Sequence, residues 1–150
     1  MPRIALIDDS RIDRRYASAC LQEYGYSVDE ILPYQVAQVV AILLNRVPDL
    51  ILLDFSIPGC PGADIARACQ ADRRLREVPV VIITAHQDVP TALEILEIGP
   101  AGILHKPCKQ VALIAMVRKT LGTTAALPVS RWPDGEDQET GWVPWTPVTA

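Results

Sequence analysis

The stretch Leu50-Ile51-Leu52-Leu53-Asp54-Phe55-Ser56-Ile57-Pro58-Gly59 carries four apolar residues in a row, one carboxylate and then a turn. An apolar residue at every position, rather than every second one, suits a strand covered on both faces. Ile4-Ala5-Leu6-Ile7 and Val78-Pro79-Val80-Val81-Ile82-Ile83 have the same character. All three read as central parallel strands, and residues 27–32 and 102–105 supply two shorter ones.

Helical patterns fill the gaps. Ser10 stands where an N-cap opens the first helix, with Asp13 in its first turn and Arg14-Arg15 on the solvated side. Ile12, Tyr16, Ala19 and Cys20 form the expected apolar face of that helix, which Gly25 stops. Val36, Val39, Val40, Leu43, Leu44 and Val47 mark a second helix, and residues 64–75, 89–98 and 110–121 three more. On the last, Val111, Ile114, Val117 and Leu121 make the core stripe. Leu113 and Met116 fall off it and are expected to form an exposed apolar patch covered by the tail or by a second subunit. Strand and helix alternate five times, which implies one parallel sheet with helices on both faces and right-handed crossovers.

A chain of 150 residues has room for one core, here residues 1–122. Apolar residues at 49% and charged residues at 21% argue against a disordered, fibrous or membrane protein. Fourteen Lys+Arg against 18 Asp+Glu leave no basic footprint, so no nucleic acid and no membrane surface is expected as a partner. The chain start lacks the features of a signal peptide, and no apolar run is long enough for a bilayer, which suggests a cytoplasmic protein. Cys20, Cys60, Cys69 and Cys108 show no metal or disulfide spacing and read as reduced, mostly buried thiols. Residues 123–150 change character, with four of the 13 prolines and all three tryptophans, Trp132, Trp142 and Trp145. They form a tail without its own core, expected either to cover an apolar patch of its own domain or to contact another molecule.

In an open parallel sheet the site lies outside the carboxyl ends of the strands. Those ends carry Asp8-Asp9, Asp54, Thr84 and His105-Lys106-Pro107. Three carboxylates close together repel one another, and hard oxygen donors of this kind call for Mg²⁺.

Asp8-Asp9, the segment Asp54 to Gly59, Thr84-Ala85 and Lys106-Pro107 together resemble the receiver domain of two-component response regulators, the CheY-like family, over about residues 3–121. The resemblance implies an α/β, doubly wound, five-stranded parallel sheet, the flavodoxin-like (βα)5 receiver fold. It implies that Asp54 accepts a phosphoryl group from a sensor histidine kinase or phosphotransfer protein. Asp9, Asp54 and the Ser56 carbonyl would then ligate Mg²⁺, with Asp8 holding a metal-bound water. Lys106 would neutralise the transferring oxygens, Thr84 would hydrogen-bond the phosphoryl group, and Pro107 would be cis. Such a protein is no enzyme beyond slow autodephosphorylation.

The sequence departs from the family pattern at two places: Ile103 replaces the usual aromatic switch residue, and Pro61-Gly62 replaces the frequent Asp-Gly. Ser56 and His86 occupy the two positions that in this family tune attack of water on the acyl phosphate. With no room for an output domain after Gly122, the expectation is a stand-alone regulator acting by protein contact. A homodimer through helix 4, strand 5, helix 5 and the tail fits that reading. Two alternatives compete. One is a receiver-like scaffold that works by constitutive oligomerisation. The other is a small Mg²⁺-dependent phosphohydrolase, which would want its nucleophile and acid on the first strand with one residue between them, whereas Asp8 and Asp9 are adjacent and Asp54 sits on the third strand.

Overall fold

The computed structural model describes residues 1–122. The tail readings, including those on Trp132, Trp142 and Trp145, lie outside the described residues. Ten elements alternate without exception: β1 (Arg3–Ile7), α1 (Arg11–Glu23), β2 (Ser27–Ile31), α2 (Val36–Asn45), β3 (Leu50–Asp54), α3 (Gly62–Ala71), β4 (Val80–Thr84), α4 (Val89–Ile98), β5 (Gly102–His105) and α5 (Gln110–Thr120). The strands form one parallel sheet in the order β2-β1-β3-β4-β5. The chain moves outward from β1 to β2, then crosses back to β3 and proceeds the other way. The direction therefore reverses between β1 and β3, and a crevice opens at their carboxyl ends.

The unbroken apolar runs are buried on both sides, as their sequence requires. Along β1 and β3 the side chains alternate between two cores. Ala5, Ile7, Ile51 and Leu53 pack under α2, α3 and α4. Ile4, Leu6, Leu50 and Leu52 pack under α1 and α5. Every residue of β3 is buried, so this strand is the axis of the domain, and its last residue is Asp54.

Two helical faces differ from expectation. On α1 the sheet is met by Ala17, Ser18, Cys20 and Leu21, whereas Ile12 is 80% exposed and Tyr16 and Ala19 are exposed too. Leu21 anchors the helix, and the small Ala17 and Ser18 let its backbone lie close to the strands. On α5, Leu113 and Met116 are buried rather than patch-forming. Met116 lies across β5 at Gly102, where a Cβ would stand 2.5 Å from its sulfur. The helix is thus covered on more than one side, and its buried arc is wider than a single stripe. The four cysteines are free, with Cys20, Cys60 and Cys69 buried. Among the described residues no helix is long and apolar enough to cross a membrane.

Candidate phosphoryl-acceptor site

β1 delivers Asp8 and Asp9 to the crevice, β3 delivers Asp54, and β5 delivers Lys106 one residue past its end. Carboxylate oxygens of Asp8, Asp9 and Asp54 lie within 4.8 Å of one another. Asp8 and Asp54 are buried, at 3% and 4% exposed, while Asp9 is exposed. The Lys106 ammonium donates to Asp54 Oδ2 at 3.4 Å, Asp8 Oδ2 at 3.1 Å and Asp13 Oδ2 at 2.9 Å. Its bond to Pro107 is cis.

Backbone amides fix the two buried carboxylates. Ser10 N–H donates to Asp8 Oδ1 at 2.8 Å, and Ser56 N–H donates to Asp54 Oδ1 at 3.3 Å. Both are two-residue turns that tie an aspartate to the chain just after its strand. They leave Oδ2 of each residue turned toward Lys106. Ser56 is thereby placed beside Asp54, with its side chain exposed.

Thr84, fully buried at the end of β4, is brought to the same sheet edge. Its hydroxyl is engaged locally: it accepts from His86 N–H at 3.0 Å and donates to the His86 carbonyl at 3.3 Å. His86 itself is exposed. Ile103 is half-buried on β5.

Two participants escaped the sequence reading. Asp13 was assigned to the first turn of α1, yet the short β1–α1 connection folds it over the crevice, onto Lys106. Arg14 was placed on the solvated side. Instead its guanidinium donates to the Asp8 carbonyl at 2.8 Å and to Glu30 at 3.2 Å, with only 13% of the side chain exposed. A signal for both existed in their position, one turn into a helix that starts three residues after Asp8.

The electrostatic balance is lopsided, with four carboxylates around one ammonium. Burial, and then repulsion from Asp8, push the Asp54 carboxyl up to about 7, against the opposing pull of Lys106 and of the Ser56 amide. Burial pulls the Lys106 ammonium down, but its bond to Asp13 and the charges of Asp54 and Asp8 outweigh that and hold it above its ordinary value. The oxygen donors of Asp8, Asp9 and Asp54 form a hard, anionic set that Lys106 alone does not neutralise. That set suits a small divalent cation such as Mg²⁺. The nearby thiols are poor nucleophiles, since burial raises Cys60 and raises Cys108 to about 12.

Comparison with known proteins gives the same frame. The family model for the response regulator receiver domain matches residues 4–118. The chain is 31% identical over 121 residues to the phosphate regulon transcriptional regulatory protein PhoB of Pseudomonas aeruginosa, covering 81% of this chain and 52% of that one. It is 34% identical over 116 residues to the response regulator PleD of Caulobacter vibrioides, covering 77% of this chain and 25% of that one. The chain thus spans about half the length of the first relative and a quarter of the second. Among solved structures, the signal receiver domain of a histidine kinase from Syntrophus aciditrophicus superposes with a TM-score of 0.75 at 26% identity, covering 85% of this chain and 96% of that one. The chemotaxis protein CheY4 of Vibrio cholerae shares the fold, with a TM-score of 0.74 at 22% identity, covering 80% of this chain and 98% of that one. With its five parallel strands and the acidic crevice at their carboxyl ends, this chain belongs to the receiver domain family of two-component response regulators.

Proposed function

We propose that Asp54 is the phosphoryl acceptor of this receiver domain and that a sensor histidine kinase or a phosphotransfer protein is the donor. The observation that carries the reading is the buried Asp54 carboxylate, held with Asp8 and Asp9 within 4.8 Å and bridged to Lys106. Asp54 Oδ2 attacks phosphorus, the new P–O bond forms as the P–N bond of the phosphohistidine breaks, and the imidazole leaves with its electron pair. The Ser56 amide keeps Asp54 Oδ1 fixed during this step. Lys106 follows the charge from the carboxylate to the phosphoryl oxygens, and Asp13 and Asp8 hold it within reach. Asp9, Asp54 and the Ser56 carbonyl would hold Mg²⁺, with Asp8 on a metal-bound water, and the ion would supply the remaining positive charge that an anion attacking an anion requires. Thr84 exchanges its His86 partner for a phosphoryl oxygen. The domain acts as acceptor and relay, with output by protein contact.

Incubation with acetyl phosphate and Mg²⁺ is expected to add one phosphoryl group, mapped to Asp54 by mass spectrometry after borohydride reduction. Asp54→Asn is expected to abolish the addition, and labelling that persists in that variant overturns the assignment. Lys106→Met should still bind Mg²⁺ but accept the phosphoryl group on the order of 100-fold more slowly, the usual effect of deleting one charge-stabilising donor. Stopped-flow measurement of the acetyl phosphate reaction checks this.

A further inference from the structure

At the β5 edge of the sheet, α4, β5 and α5 enclose an open groove of about 590 Å³. Its floor is apolar: Gly102 and Ile103 of β5, with Met116 laid across the glycine. Leu96 of α4 forms one wall and is 69% exposed, and Val89 and Leu93 extend the same side of that helix, also exposed. Three large aliphatic side chains at i, i+4 and i+7 on the solvent side of a helix are an unpartnered apolar stripe. The rim of the groove carries Lys119, His86 and His105, and no carboxylate lines it among the described residues.

The remainder of this chain matches the groove in position, chemistry and charge. Lys119 is a lining residue three positions before Gly122, the last described residue, so the described chain ends within a helical turn of the groove lining. That segment holds every tryptophan of the protein. It also holds Asp134, Glu136, Asp137 and Glu139 against a single Arg131, opposite in sign to Lys119 on the groove rim. Trp132 stands ten residues beyond Gly122. An extended chain of that length reaches roughly 33 Å, ample for a groove about as long as β5, and a shorter closure costs less entropy than one to Trp142 or Trp145.

We propose that segment 131–139 docks in the α4–β5–α5 groove of its own domain, with the Trp132 indole over Ile103 and Met116 and the acidic run beside Lys119. The indole covers the apolar floor that Ile103 and Met116 form, and the carboxylates answer Lys119. Docking of this kind needs no phosphoryl group, so its test is independent of the function assigned to Asp54.

The full chain in Mg²⁺-free buffer, without phosphodonor, tests it by tryptophan fluorescence. Trp142→Phe/Trp145→Phe leaves Trp132 as the sole reporter. Its emission is expected at shorter wavelength than that of the urea-unfolded chain and with severalfold weaker acrylamide quenching. Leu96→Glu and Lys119→Glu change exposed groove residues, and a thermal melt monitored by circular dichroism verifies that the domain stays folded. Combined, they are expected to abolish both the shift and the protection. Unfolded-like emission at the outset overturns the proposal, as does protection that the two groove substitutions leave intact. Protection that disappears on dilution also overturns it, because a second copy then supplies the ring.

Discussion

Asp54→Asn is expected to make the Mg²⁺-free domain more stable, by on the order of 3 kcal/mol above about pH 7. The folded state holds the Asp54 carboxyl near 7, against 3.8 for an unburied one. Between these values the folded chain binds a proton that the unfolded chain has lost. Stability therefore falls as pH rises from about 4 to about 7, and above that the full cost of an ionised carboxylate buried beside Asp8 is carried. Asparagine keeps the shape and the oxygen that accepts from Ser56, while Lys106 retains Asp8 and Asp13. Urea titrations across this range should show the two curves converging below about pH 4. Saturating Mg²⁺ should close the gap from the other direction, because a cation that binds only the folded state stabilises the wild-type chain by mass action. A wild-type stability that is flat between pH 4 and 7 without Mg²⁺ contradicts this account.

Gly62→Ala is expected to cost roughly 1–3 kcal/mol, the range for forcing a methyl group into filled space. Gly62 is the first residue of α3, where alanine otherwise gains up to about 1 kcal/mol. Here a Cβ would stand 2.6 Å from the Asp54 carbonyl oxygen and 2.7 Å from Phe55 Cα. Both are backbone atoms with no rotamer to escape into, and Gly62 N–H is already bonded to the Phe55 carbonyl at 3.0 Å. Relief requires α3 to lift from the end of β3 or Asp54 to move. Denaturant midpoints measure the stability loss, and a matching fall in Mg²⁺ affinity, followed by calorimetry, would show that the displacement reaches Asp54. A stabilised Gly62→Ala would mean that the junction is soft.

Much of the architecture was readable because β1, β3 and β4 each carry four apolar residues in a row, a pattern that suits a strand covered on both faces. The same runs placed Asp8, Asp9 and Asp54 at one sheet edge, since Asp8 and Asp9 follow β1 and Asp54 ends β3. Helix faces were less legible. Periodicity gives a direction but not the width of the buried arc, so Leu113 and Met116 were set outside, and Gly102, the residue that makes room for Met116, carries no periodic signal. On α1 the sheet selected small residues and Leu21 over the larger Ile12 and Tyr16, because close approach of the helix outweighs the burial of two more side chains. Asp13 and Arg14 belong to the crevice through the tightness of the β1–α1 connection, a three-dimensional fact that one-dimensional spacing does not contain.

The Thr84 hydroxyl begins fully satisfied, with His86 as both donor and acceptor. On the role proposed for Asp54, turning it toward a phosphoryl oxygen would trade a neutral carbonyl partner, worth about 0.5–1.5 kcal/mol, for a charged acceptor worth about 1.5–3 kcal/mol. Before such a group is present the turned hydroxyl has no partner to match His86, so the local arrangement is the favoured one. The bias would come from the charge delivered to Asp54. The domain then behaves as a balance whose pointer is light and whose weight is delivered from outside.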